Sequence, residues 1–200
     1  SSSSIEIMRK LKKIIEKEFD YTANIEERKY IFKSKKGMII SNKLYKVRIN
    51  KVKINEFLTT SFKLNNVKAE TKIIPQQIFV SSKKIIISLV NGLIDGDGSI
   101  HNKRNVINYS SISEKMIDQI QILLQHLGIF STKYTADQQQ PRIINERKNK
   151  SNHKSYSLEM VGLFAFKLSK LLSLSERRKN DRINFKQDIK NSIYDIIPYA

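Results

Sequence analysis

The chain has 200 residues, enough for one sizeable domain or two small pseudo-repeated halves. Its 37 Lys and Arg against 19 Asp and Glu give a formal net charge of +18, which calls for a polyanionic partner, nucleic acid first. No cysteine is present, which excludes disulfides and thiolate metal sites, and the scattered His101, His126 and His153 fit a zinc site poorly.

No apolar run approaches the roughly 20 residues of a membrane span, so no membrane partner is expected. Ser1–Ser4 lead directly into a charged amphipathic segment rather than a signal peptide. The chain opens on Ser rather than Met, as expected of a processed product or a piece of something longer. Abundant Ile, Lys and Asn suit an AT-rich genome and leave the compartment open, an organelle included.

In chain order, Ile7, Met8, Leu11, Ile14 and Ile15 share one face of a helix expected near 4–18. Alternating segments from Tyr21 to Asn50, broken at Ser34–Gly37, predict two strands and a turn. A short helix near 52–60 and a polar linker to Pro75 follow. A buried helix is expected over 82–96, where a mostly apolar run ends in Asp95-Gly96-Asp97-Gly98, a stop-and-turn signal. Two strands flank Asn102–Arg104, and Ser113 caps a helix that closes at Gly128. Strands near 129–136 and 154–161 embrace a polar, basic loop at Gln138–Asn152, and helices near 162–173 and 176–191 finish the chain.

A partial internal repeat emerges. At an offset of 111 residues Lys68 falls on Lys179, Tyr45 on Tyr156, Val47 on Leu158, Ile49 on Met160 and Val52 on Leu163. At an offset of 109, Ile7, Met8, Leu11, Ile14 and Ile15 fall on Met116, Ile117, Ile120, Leu123 and Leu124. Both stretches read helix, strand, strand, helix. Only the second is preceded by the Asp-Gly-Asp-Gly helix.

Val90-Asn91-Gly92-Leu93-Ile94-Asp95-Gly96-Asp97-Gly98 resembles the motif that names the LAGLIDADG homing endonucleases, with Val90, Asn91 and Gly96 the departures. Lys72-Ile73-Ile74-Pro75 looks like the element that precedes the second motif in two-motif and intein-borne members. Tyr109–Glu114, continued through Leu127-Gly128-Ile129, looks like the segment that follows it. The resemblance implies an α+β fold of two αββαββα halves with saddle-shaped antiparallel sheets. Here the first repeat (1–74) would be truncated and lack its motif helix, and the second (75–200) would be complete.

By the same resemblance Asp97 is the catalytic acid and a Mg²⁺ (or Mn²⁺) ligand, joined by the Gly96 carbonyl. Val90, Gly92, Leu93 and Asp95 belong to the motif-helix interface. Lys179, or Arg177 or Arg178 within a turn of it, stands near the scissile phosphate, and Lys68 is its counterpart in the first repeat. Phosphodiester hydrolysis needs a positioned water and charge neutralisation, which divalent metals supply. Gly92 inside a helix costs about 1 kcal/mol relative to Ala, a cost that makes sense if another backbone approaches there.

For DNA reading the strands offer Ser99, His101 and Lys103 on one face, followed by Arg104, Asn105 and Asn108. Arg28, Lys29, Lys33, Lys36, Lys46, Arg48, Lys133, Arg142, Arg147, Lys148 and Lys154 are candidates for phosphate contacts. The expected activity is site-specific, Mg²⁺-dependent cleavage of double-stranded DNA. One motif supplies one acid, so a second polypeptide, an upstream segment or a second copy would supply the other. The alternative is a non-cleaving DNA- or RNA-binding derivative such as an intron maturase. No intein splicing junction is evident, and an intein-derived endonuclease segment stays open.

Overall fold

The computed structural model describes residues 2–33, 39–62, 67–136, 142–144, 147–149 and 153–185. The chain divides into two compact units, Ser1–Asn66 with Ser175–Arg177, and Val67–Leu174 with Arg178–Ala200.

The first unit runs α1 (Ile5–Phe19), β1 (Asn24–Lys33), β2 (Ile39–Arg48) and α2 (Val52–Ser61). Ser4 caps α1, its Oγ accepting from the Ile7 N–H, and β1 pairs antiparallel with β2. Met8, Ile15, Ala23, Tyr45 and Ile54 are its buried apolar residues. Asp20 closes α1 in the left-handed region, at φ 45°. The turn expected at Ser34–Gly37 and the candidate Lys36 lie outside the described residues.

The second unit begins with an extended segment and two short 3-10 turns, Ala69–Thr71 and Gln76–Ile78. There follow α3 (Lys83–Asp97), β3 (Gly98–His101), β4 (Val106–Ser111), α4 (Glu114–His126), β5 (Thr132–Ala136), β6 (Arg142–Ile144), β7 (Arg147–Asn149), β8 (Ser155–Val161), α5 (Leu163–Leu171) and α6 (Arg177–Arg182). Strands β3, β4, β8 and β5 form one antiparallel sheet in that order, and β6 pairs with β7. Without the β6–β7 hairpin the order from α3 is αββαββα, the architecture expected. One face of the sheet packs on helices through Ile100, Ile107, Tyr109, Leu158 and Met160, which join Val90 and Ile94 of α3, Ile117, Ile120, Leu123 and Leu124 of α4, and Ala165 and Leu168 of α5 in one core. The other face carries the alternate residues of each strand.

Leaving out the β6–β7 hairpin, α4–β5–β8–α5 runs helix, strand, strand, helix, the same order as α1–β1–β2–α2. Buried Met8 and Ile15 correspond to buried Ile117 and Leu124, and buried Ile54 to buried Ala165. The caps correspond as well. Ser113 Oγ accepts from the Met116 N–H at 3.2 Å, as Ser4 Oγ does from Ile7 at 3.4 Å.

Three local expectations are corrected. Asp95–Gly98 is no turn: α3 runs through Asp97, and the chain passes directly into β3 at Gly98. The polar stretch at Gln138–Asn152 contains the short strands β6 and β7, which its composition conceals. Among the described residues α6 ends at Arg182, and Ile183 and Phe185, both buried, follow it, with the Phe185 N–H donating to the Ile183 carbonyl at 2.8 Å. Residues 186–191 of the helix expected over 176–191 lie outside the described residues. Asn102 Nδ2 donates to the carbonyls of Arg182 and Asn184 at 2.9 and 3.2 Å and anchors that segment.

Candidate functional site

The site is built around the C-terminal end of α3. Ile86, Val90, Asn91, Ile94 and Asp95 are its buried residues, spaced at three and four as one helix face requires. Val90 and Ile94 pack in the core of the second unit. Asn91 Oδ1 accepts from the Ser173 N–H at 2.6 Å and ties the middle of α3 to the segment after α5. The opposite face carries Ile85, Ser88, Gly92 and Gly96, all exposed, with Leu89 and Leu93 half-buried beside them. A Cβ at Gly92 or Gly96 would meet no described residue within 4 Å, so among the described residues this stripe is open along the helix. Of the four residues assigned to a motif-helix interface, Gly92 and Leu93 therefore lie toward this face, while Val90 and Asp95 are turned inward.

Gly98 has a different reason to be glycine. Its φ of −73° is open to any residue. A Cβ there, however, would lie 2.7 Å from both Cα and O of Ile94. The close approach lets the chain leave the helix straight into β3, with the Gly98 N–H donating to the Ile94 carbonyl. Asp97, the last helical residue, is thereby held exposed between a buried helix and a sheet strand.

Lys179 completes this helix end. Its Nζ donates to the carbonyls of Ile94 at 2.8 Å, Asp95 at 2.7 Å and Gly96 at 3.3 Å. The Ile94 carbonyl also accepts from the Gly98 N–H, while those of Asp95 and Gly96 are among the carbonyls that a helix leaves without partners at its C-terminus, where the dipole favours a cation. The geometry thus brings Lys179 to the Asp97 end of α3, by way of its backbone. Tyr109, on β4 and paired with Gly98, registers the acid too. Burial pushes the Tyr109 hydroxyl up to about 12, and the Asp97 charge adds to that.

The upstream Lys72–Pro75 segment docks on α4 by side-chain clamps. Ser113 Oγ donates to the Lys72 carbonyl at 2.6 Å, and Gln119 accepts from the Ile74 N–H at 2.7 Å while donating to its carbonyl at 3.3 Å. Lys68 is exposed just before this segment, its backbone N–H donating to Thr71 Oγ1. Arg177 and Arg178 are exposed at the start of α6.

The uncovered face of the four-stranded sheet carries Ser99 and His101 of β3, Asn108 and Ser110 of β4, Ser157 and Glu159 of β8, and Thr132 and Tyr134 of β5. Ser99, Asn108, Glu159 and Thr132 form one row across it. Ser110 Oγ donates to Asn108 Oδ1 at 3.0 Å, and Asn108 Nδ2 to Glu159 Oε1 at 3.3 Å. Lys103 and Arg104 occupy the 3-10 turn after β3 rather than the strand face, and Asn105 holds a left-handed φ of 47°. Sequence reasoning passed over Glu159. The alternation of Ser155–Val161, with Leu158 and Met160 inward, is the signal that places it on the outer face.

Some basic candidates are already engaged. Lys133 pairs across to Leu158 on the helix-covered face, and its ammonium is bound by Glu114 Oε1 at 2.9 Å and by Asp118. Those hydrogen bonds raise the Lys133 pKa, with Asp118 the larger cause. Exposed Lys154 adds to the field that lowers the Glu114 pKa, an effect led by the Lys133 bond. In the first unit Arg28, Lys46 and Arg48 lie on one face of the β1–β2 hairpin, where Arg48 pairs with Glu26 at 3.0 Å. Arg142 and Lys148 belong to β6 and β7.

The donor set at the helix end is hard oxygen: the Asp97 carboxylate and the Gly96 carbonyl. Among the described residues no group of three His, Cys, Asp or Glu side chains could enclose a metal ion. A partial set of this kind fits Mg²⁺, which keeps several waters and takes few carboxylates. No described helix is long and apolar enough to cross a membrane.

The sequence pattern of the LAGLIDADG-like domain matches residues 84–163. The chain is 27% identical over 136 residues to a probable translation initiation factor IF-2 of Methanocaldococcus jannaschii, covering 68% of this chain and 11% of that protein. It is 37% identical over 80 residues to a DNA polymerase of Thermococcus kodakarensis, covering 39% of this chain and 5% of that protein. The chain thus spans about a tenth or less of the length of these curated relatives. In three dimensions it is similar to mesophilic variants of the homing endonuclease I-DmoI, at a TM-score of 0.51 and 14% identity over 86% of this chain and 76% of that one, a likeness of fold. The α3 motif, the matched pattern and the αββαββα order together identify a LAGLIDADG-like domain at residues 84–163 of this chain.

Proposed function

We propose that the chain is a site-specific endonuclease of double-stranded DNA, or the part of one that carries a single motif. The observation that supports this most is Asp97, exposed at the end of a buried helix whose outer stripe, Gly92 and Gly96, is open. A second motif helix laid along that stripe brings a second acid beside Asp97, one for each strand of a duplex. The counterpart comes from a second copy, another polypeptide or a longer version of this one. The net charge of +18 attracts the duplex at long range.

Asp97 and the Gly96 carbonyl would hold a Mg²⁺ ion, which when bound supplies a lowered water pKa and neutralises charge developing on the phosphate. The chain's own residues do the positioning. Gly98 fixes the helix-to-strand exit that aims Asp97, and Lys179 fixes the carbonyls of the last helical turn. The ammonium of Lys179 also places positive charge where phosphate oxygens approach. Matches to short segments of a translation factor and a DNA polymerase, proteins of unrelated work, support a mobile module carried within host proteins.

The test is cleavage of AT-rich plasmid libraries with Mg²⁺, by the chain alone and with a partner carrying a second motif helix. Asp97→Asn lowers metal-dependent cleavage on the order of 10³-fold, several kcal/mol of transition-state stabilisation, while duplex binding persists. Retention of DNA with no Mg²⁺-dependent cut, unchanged by Asp97→Asn, sinks the nuclease reading and favours the non-cleaving binder.

A further inference from the structure

The uncovered sheet face contains an acid in the middle of a polyanion-binding protein. Glu159 lies on β8, an interior strand, flanked by Asn108 of β4 and Thr132 of β5. Among the described residues no Lys or Arg pairs with it. Its hydrogen-bond partner is the Asn108 amide, at 3.3 Å. The amide is oriented in turn, because Ser110 Oγ donates to Asn108 Oδ1 and so aims Nδ2 at the carboxylate. Ser110, Asn108 and Glu159 form a directed chain that engages one carboxylate oxygen, Oε1, and among the described residues no donor engages the other.

A carboxylate facing phosphates is repelled, and one with neither a cation nor a ligand gains nothing from being held in place. A carboxylate facing base edges in a major groove has one good use, since it only accepts hydrogen bonds. Guanine presents acceptors there, and thymine an acceptor and a methyl group. Adenine offers an amino group beside the N7 acceptor, which repels the second carboxylate oxygen. Cytosine offers its N4 amino group without an adjoining acceptor. We infer that Glu159 is a specificity-determining residue that accepts from the N4 amino group of a cytosine near the centre of the half-site, with Asn108 and Ser110 as positioning residues. This rests on the reading of the chain as a DNA-binding protein of the proposed kind.

Selection from randomised duplexes, with the full chain and no divalent metal, tests it. The wild type enriches cytosine at one position by about tenfold, and Glu159→Gln moves that position toward adenine, which a Gln amide can pair through N6 and N7. The salt dependence of binding stays the same, because no phosphate contact is lost. Uniform tightening by Glu159→Gln at every sequence, with no change of base preference, marks a merely solvated acid and overturns the assignment. Failure of the wild type to bind any duplex strikes instead at the proposed function. Asn108→Ala provides a second check: it weakens the cytosine preference with the thermal transition retained, whereas an unchanged preference again contradicts the inference.

Discussion

At Gly98 an added Cβ would lie 2.7 Å from the Ile94 backbone, whereas at Gly92 and Gly96, on the same motif, it would meet nothing within 4 Å. One glycine is used up by the chain's own fold, where the helix turns into the strand. The other two leave a helix face bare of contacts with the described residues, at a cost in helix propensity that no described residue offsets. The two faces of α3 thus divide the motif into a part that builds the second unit and a part directed outward. The inner part can be broken by stability measurements on the chain alone, and the outer part only by measurements with a partner.

The largest stability effect is expected at Gly98. Gly98→Ala forces Ile94 and the strand exit apart and costs about 1–3 kcal/mol by overpacking, read as a lowered midpoint in denaturant. Gly92→Ala should do the reverse in the isolated chain, adding up to about 1 kcal/mol through helix propensity. Equal destabilisation by both would erase the distinction between the faces.

Lys179→Met tests the helix end at an intermediate scale. Losing the ammonium from the Ile94, Asp95 and Gly96 carbonyls should cost about 1 kcal/mol, with a smaller loss at high salt. No change in stability would mean the bonds contribute nothing beyond what water supplies.

The smallest effect concerns pH. Tyr109 is raised by burial and then by the Asp97 charge, to about 12 from an ordinary 10. Its folded pKa lies above the unfolded one, so its contribution is fully present below pH 10 and is lost as pH rises through about 12. Phenolate absorbance, with Tyr109→Phe as the reference, should show the late titration, and Asp97→Asn should move it down by a fraction of the shift. An unmoved titration in Asp97→Asn would place the carboxylate away from Tyr109.

Much of this was legible in the sequence because it depends on period and punctuation. The apolar spacing located α1, α3 and α4 to within a residue or two, and Ser113 and Gly128 marked the ends of α4. Of the pairs from which the repeat was read, Met8 with Ile117 and Ile15 with Leu124 prove to be buried on both sides, whereas Leu11, Ile14 and Val52 are exposed where Ile120, Leu123 and Leu163 are their counterparts. What escaped depends on contacts distant in sequence. Lys133 reads as a free cation until Glu114 and Asp118, on a neighbouring helix, are seen to bind it. Lys179 was placed near the site by the family pattern, but its bonds to carbonyls some 85 residues earlier were invisible. The α3 exit was misread as a turn because Gly98 signals a close approach there rather than a reversal.

The central claim is that the open glycine stripe of α3 receives a second motif helix and so completes a two-acid site. Cleavage of target duplex with Mg²⁺ by Gly92→Leu, under the conditions in which the wild-type chain cuts, tests it most directly. The prediction is a chain folded as stably as the wild type that has lost double-strand cleavage. Cleavage at the wild-type rate by that folded variant would contradict the account.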